Sequence, residues 1–338
     1  MLQIKRELPT HFFSLHARDL HRCLRGPTLF HLSGRRVPPI FVSIMLHGNE
    51  DVGLKAIQQA LSAYTGKQLP RELLLFVGNT EAAEVGLRKL PEQMDFNRVW
   101  PGSALPPSPI SEMMFQVVEY ARQAGVFVSV DLHNNTGANP HYGCINRVDA
   151  KTLQLASLFA RTVVYFERPL GVQSAAMTKH CPSITCECGQ VGNEAGVARA
   201  ANLLEACLQM LDLPEHMPPA SDYHLLRTVA TIKVDSTVRF GFDPNDSQIE
   251  WLLPFDIAMR NFRPLPAGTG FGRRLNGNTS ALLSVIDEQD EIVTEDFLTI
   301  VNEEVVLNQC AVPSMLTTNM QIIRDDCLGY FMEEYSPA

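Results

Sequence analysis

No apolar run in the 338-residue chain approaches the ~18 residues that a membrane-spanning helix requires, so a transmembrane helix is excluded. The opening residues, MLQIKRELPTHFF, lack an apolar stretch followed by small residues, and no secretion signal is expected. Long runs of like charge are absent. With 28 basic against 37 acidic residues and a net charge of −9, the average field repels a phosphate backbone, so no nucleic-acid partner is expected. Cysteine is sparse, 8 residues in this length, which is too thin for a disulfide scaffold. Without a secretion signal these read as reduced thiols in a cytoplasmic protein. A Walker A run and a GxGxxG between strand and helix are also missing, which removes the common phosphate-binding chemistries. What the chain has is 45% hydrophobic and 19% charged residues, enough apolar material for a full core and a length that suits two domains.

The apolar run at 39–46 follows a proline pair and reads as a buried strand. Leu54, Ile57, Leu61 and Tyr64 then recur at helical spacing, with Asn49 placed to cap that helix and Glu50 in its first turn. Residues 72–77 form a second buried strand. Residues 111–124 form a helix with Met114, Phe115, Val118 and Ala121 on its inner face, and 126–132 form a third strand. Further along, 151–161 is helical, 163–166 and 184–188 are strands, and Val197, Ala201, Leu204, Leu208 and Leu211 mark one face of a long helix. This alternation argues for an α/β fold with a mixed, largely parallel sheet and helices on both faces. The stretch 213–220, LPEHMPPA, holds three prolines and serves as a linker between a domain at 1–214 and a smaller β-rich domain at 220–338. In the tail, 231–240, 291–301 and 303–312 look like strands, and PLPAGTGFGRRLNGN is turn-rich.

The first strand runs into His47-Gly48-Asn49-Glu50. Carboxyl ends of strands open into the crevice where α/β folds bind ligands. An imidazole and a carboxylate three apart there, joined by a distant histidine, make a His₂Glu set of the kind that holds catalytic zinc. Alone, the pair reads first as a helix-dipole glutamate beside a loop histidine. The third strand ends in Asp131-Leu132-His133, which supplies the second histidine. Asp131 and His133 point to one side of that strand, so Asp131 can orient a metal-bound imidazole. His141, in the loop beyond, competes as a ligand. In SITCECG (183–189), Glu187 shares a strand face with Ser183 and Thr185. A buried carboxylate at a strand end is costly unless it has a task, and general base beside a metal is such a task. Cys181, Cys186 and Cys188 with His180 are poorly spaced for a thiolate site and read as core residues.

Four segments stand in order along the chain: HGNE (47–50), DFNRVWPG (95–102), DLHNNTG (131–137) and ECGQ (187–190). Together they resemble the aspartoacylase/succinylglutamate desuccinylase family, a branch of the zinc carboxypeptidase superfamily. The resemblance implies a zinc-carboxypeptidase-like fold with Zn²⁺ held by His47, Glu50 and His133. It makes Glu187 the general base and later the proton donor. It places the substrate's α-carboxylate on Asn97 and Arg98, a guanidinium fork beside an amide, adds Asn134 to the substrate-binding set, and gives Arg88 the scissile carbonyl. Members that act on acidic substrates carry an arginine shortly before the base. Here residues 175–182 offer only Lys179 and His180, so either Lys179 substitutes or the substrate has no second carboxylate.

The implied reaction is hydrolysis of the N-acyl bond of an amino acid, with a small-molecule partner and room for a homo-oligomer. Two alternatives use the same ligands. A zinc carboxypeptidase for small peptides would need an open cleft, which a β tail over the site would restrict. A non-catalytic zinc-binding protein would be expected to lose the base, and Glu187 is present.

Overall fold

The computed structural model describes residues 2–275 and 282–337. Residues 276–281, of which 276–278 close the turn-rich PLPAGTGFGRRLNGN stretch, lie outside the described residues. The chain divides into two compact units, Met1–Asn134 with His141–His224, and Asn135–Pro140 with Leu225–Ala338. Among the described residues no helix is long and apolar enough to cross a membrane.

The first unit carries strands β1 (Gln3–Lys5), β2 (Thr28–Leu32), β3 (Ile40–Ile44), β4 (Leu73–Val77), β5 (Ser129–His133), β6 (Tyr142–Ile145), β7 (Thr162–Tyr165) and β8 (Ser183–Glu187). Its helices are α1 (Leu20–Cys23), α2 (Val52–Ser62), α3 (Thr80–Val85), α4 (Pro109–Gln123), α5 (Ala150–Phe159), α6 (Gln173–Met177) and α7 (Glu194–Gln209). The strands lie in the order β1-β2-β4-β3-β5-β8-β6-β7. The central four, β4-β3-β5-β8, are all parallel, while β2 and β6 join them antiparallel. Every residue of β3, β4, β5 and β8 is buried, as expected of parallel strands covered on both faces. On one face α4 packs Met114, Val117 and Val118 among Phe41, Leu74 and Phe76. On the other, α2 presses so close that a Cβ on Gly53 would stand 2.6 Å from Ile44 Cγ2. A larger side chain there would push the helix off the sheet.

Three expected details differ. The strand at 39–46 stops at Ile44, because Met45 turns out of the ladder with φ 57°. The inner face of α4 is Met113, Met114, Val117, Val118 and Ala121, and Phe115 is 52% exposed. Leu211 lies past the end of α7 and is 79% exposed. The helix ends at Gln209 where arginines collect its last carbonyls: Arg36 donates to Gln209 O at 2.6 Å and Arg71 to Met210 O at 2.8 Å. The stretch 213–220 contains neither helix nor strand.

The second unit is all but purely β. Its elements are β9 (His224–Val234), β10 (Phe240–Gly241), β11 (Trp251–Leu252), β12 (Gly270–Arg274), β13 (Leu283–Asp287), α8 (Thr294–Phe297), β14 (Leu298–Val301), β15 (Glu304–Leu307), β16 (Val312–Ser314), α9 (Met320–Asp325) and β17 (Gly329–Glu334). β9 pairs antiparallel with β13 and with β17, and β10-β11-β12-β15-β14 make a separate five-stranded sheet. Trp251, Phe271 and Phe331 lie in the core between them. Within the segment 291–301 a helical turn, α8, precedes the strand, and β12 forms inside the turn-rich stretch. Asn135–Pro140 fold with this unit because Asn139 Oδ1 accepts from Met315 N at 3.0 Å.

Candidate metal centre

Parallel pairing brings the carboxyl ends of β3, β5 and β8 side by side. In register, Ser43 lies beside Asp131, and His133 beside Glu187. Past β3 the chain makes a tight turn, Glu50 N donating to His47 O at 3.2 Å, before α2 begins at Val52. Glu50 therefore precedes the helix rather than sitting in its first turn, and Asn49 does not cap it. The cap comes from elsewhere: Asn134, just beyond β5, accepts from Val52 N through Oδ1 at 3.1 Å. Its amide end donates to Gly189 O at 3.0 Å, so one buried side chain ties the ends of β5 and β8 to the start of α2.

His47, Glu50 and His133 are all buried, and their ligand atoms lie within 4.8 Å of one another. Among the described residues no other group of three His, Cys, Asp or Glu is so arranged. Glu50 Oε1 is 2.8 Å from His47 Nδ1, and Oε2 is 2.8 Å from His133 Nδ1. Behind each ring stands a carboxylate. Asp95 Oδ1 is 3.0 Å from His47 Nε2, and Asp131 Oδ2 is 2.8 Å from His133 Nε2. A carboxylate accepting the Nε2 proton leaves Nδ1 as a lone-pair donor, which is how metal-bound imidazoles are commonly held. Two Nδ1 atoms and one carboxylate facing a common point fit a divalent cation such as zinc. Asp131 is itself fixed by Ser43 Oγ at 2.7 Å.

The charges settle accordingly. Burial alone would raise Glu50, but His47 and His133 outweigh it and hold the carboxyl well below its usual range. Burial opposes the cationic form of His133, yet Asp131 and Glu50 raise it well above the ordinary histidine value. Asp95 is half-buried; burial would raise it, but His47 and Arg88 outweigh that and keep it ionised far below its usual range. Glu187 goes the other way: burial pushes it up to about 7, with Glu50 and Asp131 adding to the rise and His133 and His47 opposing it. Its Oε2 is buried without a hydrogen-bond partner among the described residues.

The remaining expected residues divide. Arg88 lies at the site: Nη2 is 2.9 Å from Asp95 Oδ2, and Nη1 is 3.7 Å from Glu50 Oε1. Asn97 is buried with its amide nitrogen 3.2 Å from His133 Nε2 and its oxygen accepting from Gln173 N at 2.9 Å. Arg98, half-buried, donates to Asn97 O at 2.9 Å. His141 stands apart, against Gly189 and bonded to Asn193. Lys179 is exposed in the turn leading into β8, at the amino end of the strand that Glu187 terminates. Cys181, Cys186 and Cys188 are buried and unbridged. Asp95 is the residue that pattern reading passed over. It sits inside the DFNR segment and also takes Asn97 N at 2.7 Å, an aspartate bonding to the backbone two residues on, which is a local signal readable from sequence. Ser43 and Gln173 gave no such signal.

A family model described as the succinylglutamate desuccinylase/aspartoacylase catalytic domain matches residues 37–213. No curated protein sequence matches the chain. Among solved structures, murine aminoacylase 3 is similar over 89% of this chain and 97% of its own, at TM-score 0.56 and 17% identity. Succinylglutamate desuccinylase from Chromobacterium violaceum is similar over 89% and 86%, at TM-score 0.54 and 17% identity. A succinylglutamate desuccinylase/aspartoacylase from Rhodobacter sphaeroides is similar over 91% and 89%, at TM-score 0.57 and 13% identity.

Proposed function

The chain belongs to the succinylglutamate desuccinylase/aspartoacylase family, and on that premise we propose that it is a zinc-dependent amidohydrolase that removes an N-acyl group from an amino acid. The observation that carries this reading is Glu187: a buried carboxyl raised to about 7, with one oxygen unpartnered among the described residues, next in register to His133 of the His47–Glu50–His133 donor set. A proton acceptor poised near neutral pH is of little structural use and of direct use in hydrolysis. Zinc bound by the three donors supplies a Lewis acid that eases deprotonation of water and polarises the scissile carbonyl.

This chain's residues do the rest. Glu187 accepts the proton of the attacking water and passes it to the departing amine nitrogen. Arg88, anchored on Asp95, turns its guanidinium to the oxygen that gains negative charge, an interaction that strengthens in the transition state. Arg98 grips the α-carboxylate and Asn97 lines its seat, so both contribute position. The placement of Lys179 at the opposite end of β8 favours a substrate whose amino-acid side chain lacks a second carboxylate.

A hydrolysis screen of N-acyl amino acids with the zinc-loaded protein, run beside Glu187→Gln, tests the reading. Release of free amino acid is expected from monocarboxylic substrates, and the variant should lose about 10²–10⁴ of kcat. Peptide cleavage instead, or a variant as active as the wild type, would overturn it.

A further inference from the structure

A cavity of about 1120 Å³ opens on the far side of the turn that carries His47 and Glu50. Gly48, Asn49 and Asp51 form part of its wall, whereas none of the metal donors, Glu187, Arg88, Asn97 or Arg98 lines it. The cavity lies wholly within the first unit.

Its charges are unevenly matched. Arg22 is paired with Asp19 at 2.9 Å, Lys55 with Asp51 at 2.9 Å, and His21 lies 3.7 Å from Glu84. Arg18 is exposed in the same wall, and its guanidinium has no ion pair or hydrogen bond among the described residues. Asp19 and Asp51 are thus paired with other cations, leaving the Arg18 fork without a carboxylate partner among the described residues. The wall also carries accessible apolar surface at Phe13, Leu15 and Val191. A planar fork of donors next to apolar surface suits an oxyanion with a hydrocarbon body.

Arg18 also touches the chain that delivers the active-site arginine. Its Nη2 lies so near Gly86 that a Cβ there would come within 2.9 Å. Gly86 closes α3 at φ 70°, and Arg88 follows two residues later. Gly48 N in turn donates to Arg88 O at 3.1 Å. Gly48 is seated without slack on α3, since a Cβ there would meet Ala82 C at 2.3 Å. The cavity wall thus includes Gly48 and Gly86, on the two loops that carry His47, Glu50 and Arg88.

We propose that this cavity is an effector site for a small organic anion, its carboxylate or phosphate head on Arg18 and its apolar body against Phe13 and Leu15, with occupancy felt at the His47–Glu50–His133 centre. The binding stands on the cavity alone; the effector role rests on the metal reading given above.

Calorimetric titration of the metal-free full chain with octanoate and with monooctyl phosphate tests the binding and shows which head group is preferred. Acetate and octan-1-ol are the controls for tail and head. Saturable one-to-one binding is expected for at least one amphiphile and for neither control. Arg18→Glu should weaken it at least about tenfold, and Ala17→Phe, which fills the cavity, should weaken it too, both with unchanged circular dichroism. Absence of saturable binding overturns the proposal. So does equal affinity in Arg18→Glu, or binding lost in His47→Ala and kept in Arg18→Glu, which would put the anion on the metal donors. The effector role is read by repeating the titration with zinc bound. Coupling is reciprocal, so the amphiphile's Kd should differ at least about threefold between the two forms, and equal Kd values overturn the role. Zinc affinity is measured separately: failure to bind zinc counts against the proposed hydrolase, and loss of Arg18-dependent binding counts against this cavity.

Discussion

Each histidine of the centre is held from behind, and the two supports are unequal. Asp131 is fixed within the sheet by Ser43 and serves one ring. Asp95 lies in the loop before Asn97 and carries both His47 and Arg88. Asp95→Asn keeps the shape but removes the charge that both partners need. Its zinc affinity should fall by about 10–100-fold with secondary structure intact, measured by competition with a chromophoric chelator; unchanged affinity would strip Asp95 of this role. Glu187 invites a test that needs no substrate. Its folded-state value, about 7, lies above the usual 4.5, so the folded protein holds this proton more tightly than the unfolded chain does. The stability from that protonation is full below 4.5 and is lost as pH rises through about 7. In metal-free protein at pH 8, Glu187→Gln should therefore be more stable than wild type, by up to about 3 kcal/mol. Chemical denaturation midpoints should converge as the pH is lowered toward about 5. A gain equal at both pH values would mean that the carboxylate's charge is not what the buried site resists.

At the scale of elements, the start of α2 is set by a residue far away in sequence. Asn134 caps Val52 N and holds Gly189 O, so three loops share one amide. Asn134→Ala would leave both backbone groups without this partner and should cost about 1–3 kcal/mol. A Tm lowered by several degrees, together with weaker zinc binding because Glu50 sits two residues before α2, is the expected result; a stability loss with zinc affinity intact would mean that the cap does not position Glu50. This also shows where sequence reading stops. The central strands β3, β4, β5 and β8 are legible because parallel strands buried on both faces must be apolar runs. His47, Glu50, His133 and Glu187 stand out because ligand and base chemistry allows few residue types, and each follows or ends such a run. Asn49 looked like the cap of α2 because Asn favours that position, and tertiary contact with Asn134 overrode the preference. β1 and β6 are three and four residues long, too short to show a period. The partnership of Ser43 with Asp131 depends on register between strands, which no single segment encodes.

Across the whole molecule, the site concentrates like charge. Glu50, Asp95, Asp131 and Glu187 surround two histidines, with Arg88 as the cation in direct contact with two of the four carboxylates. A cation bound among these carboxylates stabilises the folded state that holds it, so metal binding and the stability of the first unit should be coupled. All three donors and all four carboxylates come from that unit, whereas Trp251, Phe271 and Phe331 anchor a different core in the second. Zinc at a hundredfold excess over its Kd should add about 2.7 kcal/mol to states that retain the site. In native-state hydrogen exchange this corresponds to about hundredfold slowing for amides that open only when the site is lost. The residues expected to show it are those of β3, β5 and β8 and the turn at 47–51. Amides of β10-β11-β12-β15-β14 have no donor in their sheet and should change little. Uniform slowing over both sets would mean that the metal stabilises the chain as one cooperative body, and no slowing at β3, β5 and β8 would mean that His47, Glu50 and His133 do not hold it.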